Sequence, residues 1–105
     1  GMERRPAIHN TSVGASKIWF GTVTSSPNHK GPPHHHGEAE TAAYIISGHV
    51  RVHYGEDFKE FVEAGPGDYI FVPANTCHIE ENPYDEPSEQ FLARGPDNIV
   101  INMEP

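Results

Sequence analysis

The stretch PPHHHGEAETAAYIISG, Pro32 to Gly48, sets three histidines in a row, a glutamate four residues after the last, then an apolar run closed by glycine. Side chains of an extended chain alternate between faces. His34 and His36 therefore project together, and His35 points the other way. Two imidazoles on one face with Glu40 close behind make half of a site for a divalent transition metal. The other half has to come from later in the chain. His78 is the best candidate: it lies in CHIEE (Cys77–Glu81), a short predicted strand just past the turn at Pro73–Thr76.

Working outward, the same alternation predicts strands throughout. KIWFGTVT (Lys17–Thr24) is rich in β-branched and aromatic residues. TAAYIIS (Thr41–Ser47) and VRVHY (Val50–Tyr54) flank Gly48-His49 as a hairpin, with Val50, Val52 and Tyr54 on one face and Arg51 and His53 on the other. FKEFVE (Phe58–Glu63), YIFV (Tyr69–Val72), CHIEE, EQFLAR (Glu89–Arg94) and NIVINM (Asn98–Met103) complete the set. YIFV is apolar on both faces and reads as a central strand covered on both sides. Ser25–Pro33 is a loop by its turn residues, and residues 1–16 read as an extended N-terminal arm. Short strands broken by turns every 8–12 residues, with no helical period, indicate a β-sandwich or barrel.

The chain has 105 residues, room for one domain spanning 1–105 and a single small core. A core this small favours extension by a partner, so a homodimer is expected. Fifteen acids against seven bases give a net charge of −8. Without a basic patch, nucleic-acid binding is not expected. No apolar run reaches the ~20 residues of a membrane span, so no membrane partner is expected. The start of the chain has two arginines but no apolar segment behind them, which does not read as a signal peptide. Gly1 before Met2 reads as an expression remnant. Cys77 is the one cysteine, and a free thiol suits the cytoplasm.

At this point the residues meet a known pattern. Pro32–Gly48 resembles the first motif of the cupins, His-x-His followed after three or four residues by Glu and later by Gly. GDYIFVPANTCHIEEN (Gly67–Asn82) resembles the second, with Gly67, Pro73, His78 and Asn82 at the family's spacing. The 18 residues between Gly48 and Gly67 resemble the short link of small single-domain cupins. The resemblance implies an all-β, double-stranded β-helix (jelly-roll barrel) holding a metal. Carried over by position, the ligands are His34, His36, Glu40 and His78. Asn75 and Asn28 stand where the family has glycine, and Asn tolerates the left-handed conformation. Between the Glu and the Gly the family has six residues, but Glu40 to Gly48 leaves seven. Counting back from Gly48 puts Thr41 in the ligand slot. A β-bulge at Glu40–Thr41 is therefore expected, to turn Glu40 inward. Without it the site is three histidines plus water.

The remaining features have plainer expectations. His29 and His53 read as surface or rim residues, His9 and His49 as exposed. Cys77 faces away from His78 and reads as a packed, inert thiol. Glu80 shares the face of His78 and reads as either a pocket carboxylate or a strand-end charge, the latter slightly favoured. Tyr44, Phe71, Trp19 and Phe20 read mostly as core or dimer contacts, with one or two of them lining the pocket. The acidic loops at Glu56–Asp57 and Asp85–Glu86 are solvated. Imidazole and carboxylate ligands suit Fe, Mn, Ni, Co, Cu or Zn alike. Two readings follow: a small metal-dependent enzyme, dioxygenase- or isomerase-like, acting on a small organic molecule, or a non-enzymatic metal-binding protein that binds or senses a small ligand. The His-x-His plus His pattern argues against a metal-free relative of sugar-nucleotide epimerases. No catalytic residue is identified.

Overall fold

The computed structural model describes residues 1–96 and 100–103. Its strands are β1 (Met2–Ile8), β2 (Trp19–Ser25), β3 (His29–Lys30), β4 (His34–His35), β5 (Glu40–Ser47) and β6 (Val50–Tyr54). They continue with β7 (Glu60–Ala64), β8 (Tyr69–Val72), β9 (Ile79–Asn82), β10 (Ser88–Gly95) and β11 (Ile101–Asn102). Five of them form one antiparallel sheet in the order β1-β2-β10-β5-β8, and four form a second in the order β3-β9-β6-β7. A two-stranded ribbon, β11-β4, is tied to the second sheet by a bridge between His34 and His78. This is the double-stranded β-helix.

Period-two alternation builds the interior. In β10, Ser88, Gln90, Leu92 and Arg94 are buried, while Glu89 and Phe91 are exposed. In β5, Thr41, Ala43 and Ile45 point inward. Two apolar clusters fill the space between the sheets. Ile45, Val50, Val52 and Ala64 form one, with Ile70 packed on it; Trp19, Val23 and Leu92 form the other, with Met2. The hairpin at Gly48 needs glycine twice over. Its φ is +72°, and a Cβ there would lie 2.5 Å from the Pro87 carbonyl oxygen.

Several expectations change in detail. The N-terminal arm is not merely extended: Met2–Ile8 adds to β2 as the edge strand of the larger sheet. The loop over Ser25–Pro33 contains the two-residue strand β3. YIFV is not a central strand. It is the other edge of the larger sheet, with Tyr69 80% and Phe71 60% exposed. Among the described residues nothing is packed over its outward aromatic face, and an apolar pattern on both faces does not tell a core from an uncovered sheet. Of the predicted strand at Asn98–Met103, Ile101–Asn102 is observed; Asn98 and Ile99 lie outside the described residues.

Candidate metal centre

His34 and His36 come from β4 and the residue after it, His78 from the segment leading into β9. Alternation puts both members of the His-x-His pair inside, and the His34–His78 bridge brings the third against them. Backbone hydrogen bonds run both ways across this bridge: His34 N donates to His78 O at 3.0 Å and His78 N to His34 O at 2.9 Å. All three rings are buried, and their donor atoms lie within 4.8 Å of one another. His35, on the opposite face, is only partly buried, and its Nδ1 accepts a hydrogen bond from the Gly37 amide instead.

Hydrogen bonds decide which nitrogen each ring offers. His34 Nδ1 lies 2.9 Å from the Pro32 carbonyl, and His78 Nδ1 lies 2.9 Å from the Thr76 carbonyl. A carbonyl only accepts, so both Nδ1 atoms carry the proton, and in the neutral ring each Nε2 presents a lone pair. The Nε2 atoms of His34 and His78 are buried with no hydrogen-bond partner. Burying such acceptors unsatisfied is costly. A divalent cation would satisfy them, in the arrangement where a carbonyl orients the imidazole from its far side. Burial, above all, pushes the His78 imidazole below its ordinary pKa, with the charge of Arg94 adding to the effect and Glu80 opposing it. The ring is thereby held neutral and ready to ligate.

Glu40 is not brought to this cluster. The pairing of Thr41 with Arg94 and of Glu40 with Gly95 is regular, so the expected bulge at Glu40–Thr41 is absent. Glu40 stays on the exposed face, and Thr41 is buried in its place. The extra residue is accommodated at the far end of the strand: Glu89 pairs with Ser47 and Gln90 with Ile45, leaving Ile46 as the bulge. Counting back from Gly48, not forward from His36, gives the residue that is buried. Thr41 accepts a hydrogen bond from Arg94 Nε at 2.7 Å. Arg94 is itself buried, and desolvation lowers its pKa to about 10, still well above neutrality. Thus a neutral hydroxyl hydrogen-bonded to a cation is buried at the point of the strand where Glu40 was expected to turn inward.

Two clefts reach the histidines. One, of about 310 Å³, is mostly apolar, lined by Val52, Tyr54, Ile70 and Val72 together with His78. The other, of about 190 Å³, has His34, Arg4 and Glu80 among its lining residues. Glu80 therefore belongs to a pocket, the less favoured of its two sequence readings. Arg94 and Arg4 were not singled out from sequence. The signal for Arg94 was present, since it alternates with Gln90 and Leu92 on β10; Arg4 lay in an arm without a strand assignment. The two asparagines behave as expected. Asn75 and Asn28 both have φ of +54°, the left-handed conformation that glycine otherwise supplies. Asn82 is buried and ties the loop after β9, donating to the Ser26 and Glu86 carbonyls.

With fold and site in place, comparison with known proteins defines the class. The cupin domain family matches residues 21–92, and the chain belongs to that family. No functionally curated protein sequence matches it. Among solved structures it is similar to the polyketide cyclase RemF from Streptomyces resistomycificus, at 26% identity and a TM-score of 0.82, covering 99% of this chain and 72% of that one. It is also similar to a double-stranded β-helix protein from Klebsiella pneumoniae, at 16% identity and a TM-score of 0.80, covering 99% and 85% of the two chains. KdgF from Halomonas sp. is similar at 20% identity and a TM-score of 0.75, covering 93% and 81%. The last two establish likeness of fold alone.

Proposed function

We propose that the chain is a metal-dependent enzyme acting on a small carbonyl-bearing organic molecule, by isomerase- or cyclase-type chemistry. The observation that carries this reading is the donor set: three buried imidazoles, with no carboxylate in the cluster among the described residues. His34, His36 and His78 would hold a divalent transition ion, and Glu40 is left out of the proposed set. Neutral donors leave the full charge on such an ion, which then supplies a Lewis acid able to polarise a carbonyl and acidify the neighbouring C–H. The chain does the rest. The Pro32 and Thr76 carbonyls fix the imidazole tautomers. The apolar cleft over His78 receives the carbon body and sheds its water. Glu80, half-buried beside His34, is the carboxylate placed to exchange a proton with a bound molecule. Likeness to a protein named a polyketide cyclase supports the same class of carbonyl chemistry.

The test is metal analysis of the purified protein, then turnover of β-diketones, keto acids and catechols with and without dioxygen. Stoichiometric metal and turnover that persists without dioxygen are expected. Turnover that needs dioxygen would overturn the Lewis-acid reading in favour of a dioxygenase, and metal without any turnover would favour a ligand-binding protein.

We further propose a homodimer, and a cytoplasmic setting from the lone thiol of Cys77. The outer face of the larger sheet carries Phe20, Tyr44, Tyr69, Phe71 and Phe91, each more than a third exposed. Strand register sets them side by side: Phe91 opposite Tyr44 and Tyr44 opposite Tyr69. At roughly 200 Å² per ring they expose about 500 Å². With the isoleucines at its margin, that approaches the ~800 Å² each partner commits to a stable interface.

A further inference from the structure

The walls of the cleft beside His78 come from both sheets. Strands β6 and β7 supply Val52, Tyr54 and Val62 from the smaller sheet, and β8 supplies Ile70 and Val72 from the larger. Strands β7 and β8 are each the edge of their sheet. Val52 and Val62 are cross-strand partners and share a face. Val52 is buried in the core, yet Val62 is 47% exposed. An inward-facing valine left uncovered marks apolar surface for a bound molecule to bury. Val52, Val62, Ile70 and Val72 are all β-branched, with χ1 largely fixed, so the walls are stiff. No acidic or basic side chain other than His78 lines the cleft among the described residues. Its hydroxyls are those of Thr76 and Tyr54. Thr76 donates to the Ala74 carbonyl at 3.3 Å. The Tyr54 hydroxyl has no hydrogen-bond partner among the described residues. The volume of about 310 Å³ equals roughly ten water molecules at ~30 Å³ each, at the lower end of small-molecule sites.

We infer that the substrate entering the cleft beside His78 is an uncharged carbonyl compound carrying an aromatic ring, and that Tyr54 is a specificity-determining residue whose hydroxyl donates to one of its oxygens. A carboxylate in this cleft would lose its water with no Lys or Arg to meet it. The net charge of −8, with exposed Glu60 directly across from Tyr54, repels an anion on approach as well. A flexible chain would lose rotamer freedom between stiff walls, whereas a ring buries comparable area with few rotors. The ring of Tyr54 offers it an aromatic contact. The inference deepens the proposed function by naming the substrate class of that site, and rests on it in taking this cleft as the place where the substrate sits.

Benzylacetone and hydrocinnamate serve as probes, a ketone and a carboxylate of the same shape. Butanone keeps the carbonyl without the ring, and toluene keeps the ring without the carbonyl. Binding is measured by NMR titration of the metal-free chain at about pH 8, where ordinary imidazoles are neutral. Benzylacetone is expected to bind at least 10-fold more tightly than hydrocinnamate, and about 10- to 100-fold more tightly than butanone, the worth of burying one aromatic group. Tyr54→Phe is expected to weaken benzylacetone about 3- to 10-fold, the range of one hydrogen bond, and to leave toluene within about twofold. Val62→Lys, at a half-exposed wall position, is expected to weaken benzylacetone at least 10-fold with the circular dichroism spectrum unchanged. Hydrocinnamate binding as tightly as benzylacetone, butanone binding as tightly, or no measurable binding of benzylacetone overturns the substrate class. Benzylacetone affinity unaltered in Tyr54→Phe overturns the role of the hydroxyl, and affinity unaltered in Val62→Lys places the ring outside this cleft and overturns the inference. Cobalt(II), whose absorption spectrum reports metal binding, is titrated separately. Failure of cobalt to bind sinks the metal reading alone, because the metal-free titrations still read the cleft.

Discussion

At the scale of single residues, two of the ligand candidates, His34 and His78, depend on a partner behind them. His34 and His78 present Nε2 only because backbone carbonyls hold the protons on Nδ1. His78→Ala is expected to lower metal affinity by more than about 100-fold, the upper range for loss of a mere supporting residue. Glu40→Ala, on the exposed face, is expected to leave it unchanged within about twofold; equilibrium dialysis with zinc measures both. The lowered pKa of His78 also has a sign. The unfolded imidazole titrates near ~6.5 and the folded one below that, so the unfolded chain binds more protons in between. Stability of the metal-free protein is therefore level above about pH 7 and falls as pH drops through ~6.5. Thermal melts of chelator-treated protein from about pH 8 to 5 check this, and a flat profile contradicts it. The histidines were legible because ligand chemistry requires their alternation and spacing. Arg4 and Arg94 were not, because a cation in a strand is ordinarily a surface residue.

At the scale of elements, alternation read most of the sheet correctly and failed where one residue was added. Val50–Tyr54 and Tyr69–Val72 match the predicted bounds because turn residues close both ends. The direction of Glu40 was misjudged because spacing from His36 and spacing from Gly48 disagree by one residue, and sequence does not say where a strand puts its bulge. The rank of β8 was misjudged because an aromatic outer face looks the same whether another layer or a second molecule covers it. Turn positions yield a sharper expectation. Gly48→Ala combines a positive φ with a close carbonyl and is expected to destabilise by about 2–3 kcal/mol or more in urea denaturation. Asn75→Gly keeps the left-handed turn and is expected to change stability by less than about 1 kcal/mol, while Asn75→Ala costs about 1–2.

At the scale of the whole molecule, metal and partner should both add stability to a core split into two small clusters. A site loaded at about 100 times its Kd adds about 2.7 kcal/mol, so chelation is expected to lower Tm by roughly 10 °C or more in a chain of this size. Differential scanning fluorimetry before and after chelation measures it. The paired change Phe71→Lys with Phe91→Lys charges the outer face of the larger sheet and is expected to halve the sedimenting mass. An unaltered mass would place the interface elsewhere. Ile46 is also a splice point in the evolutionary sense. A residue gained or lost there is absorbed near the Gly48 end of β5, whereas the same change between Thr41 and Ile45 would turn outward the inward side chains on one side of it. Lineages of this fold can thus lengthen or shorten that strand by one residue while inheriting the same inward-facing positions, and a spacing rule counted across Ile46 will misalign them.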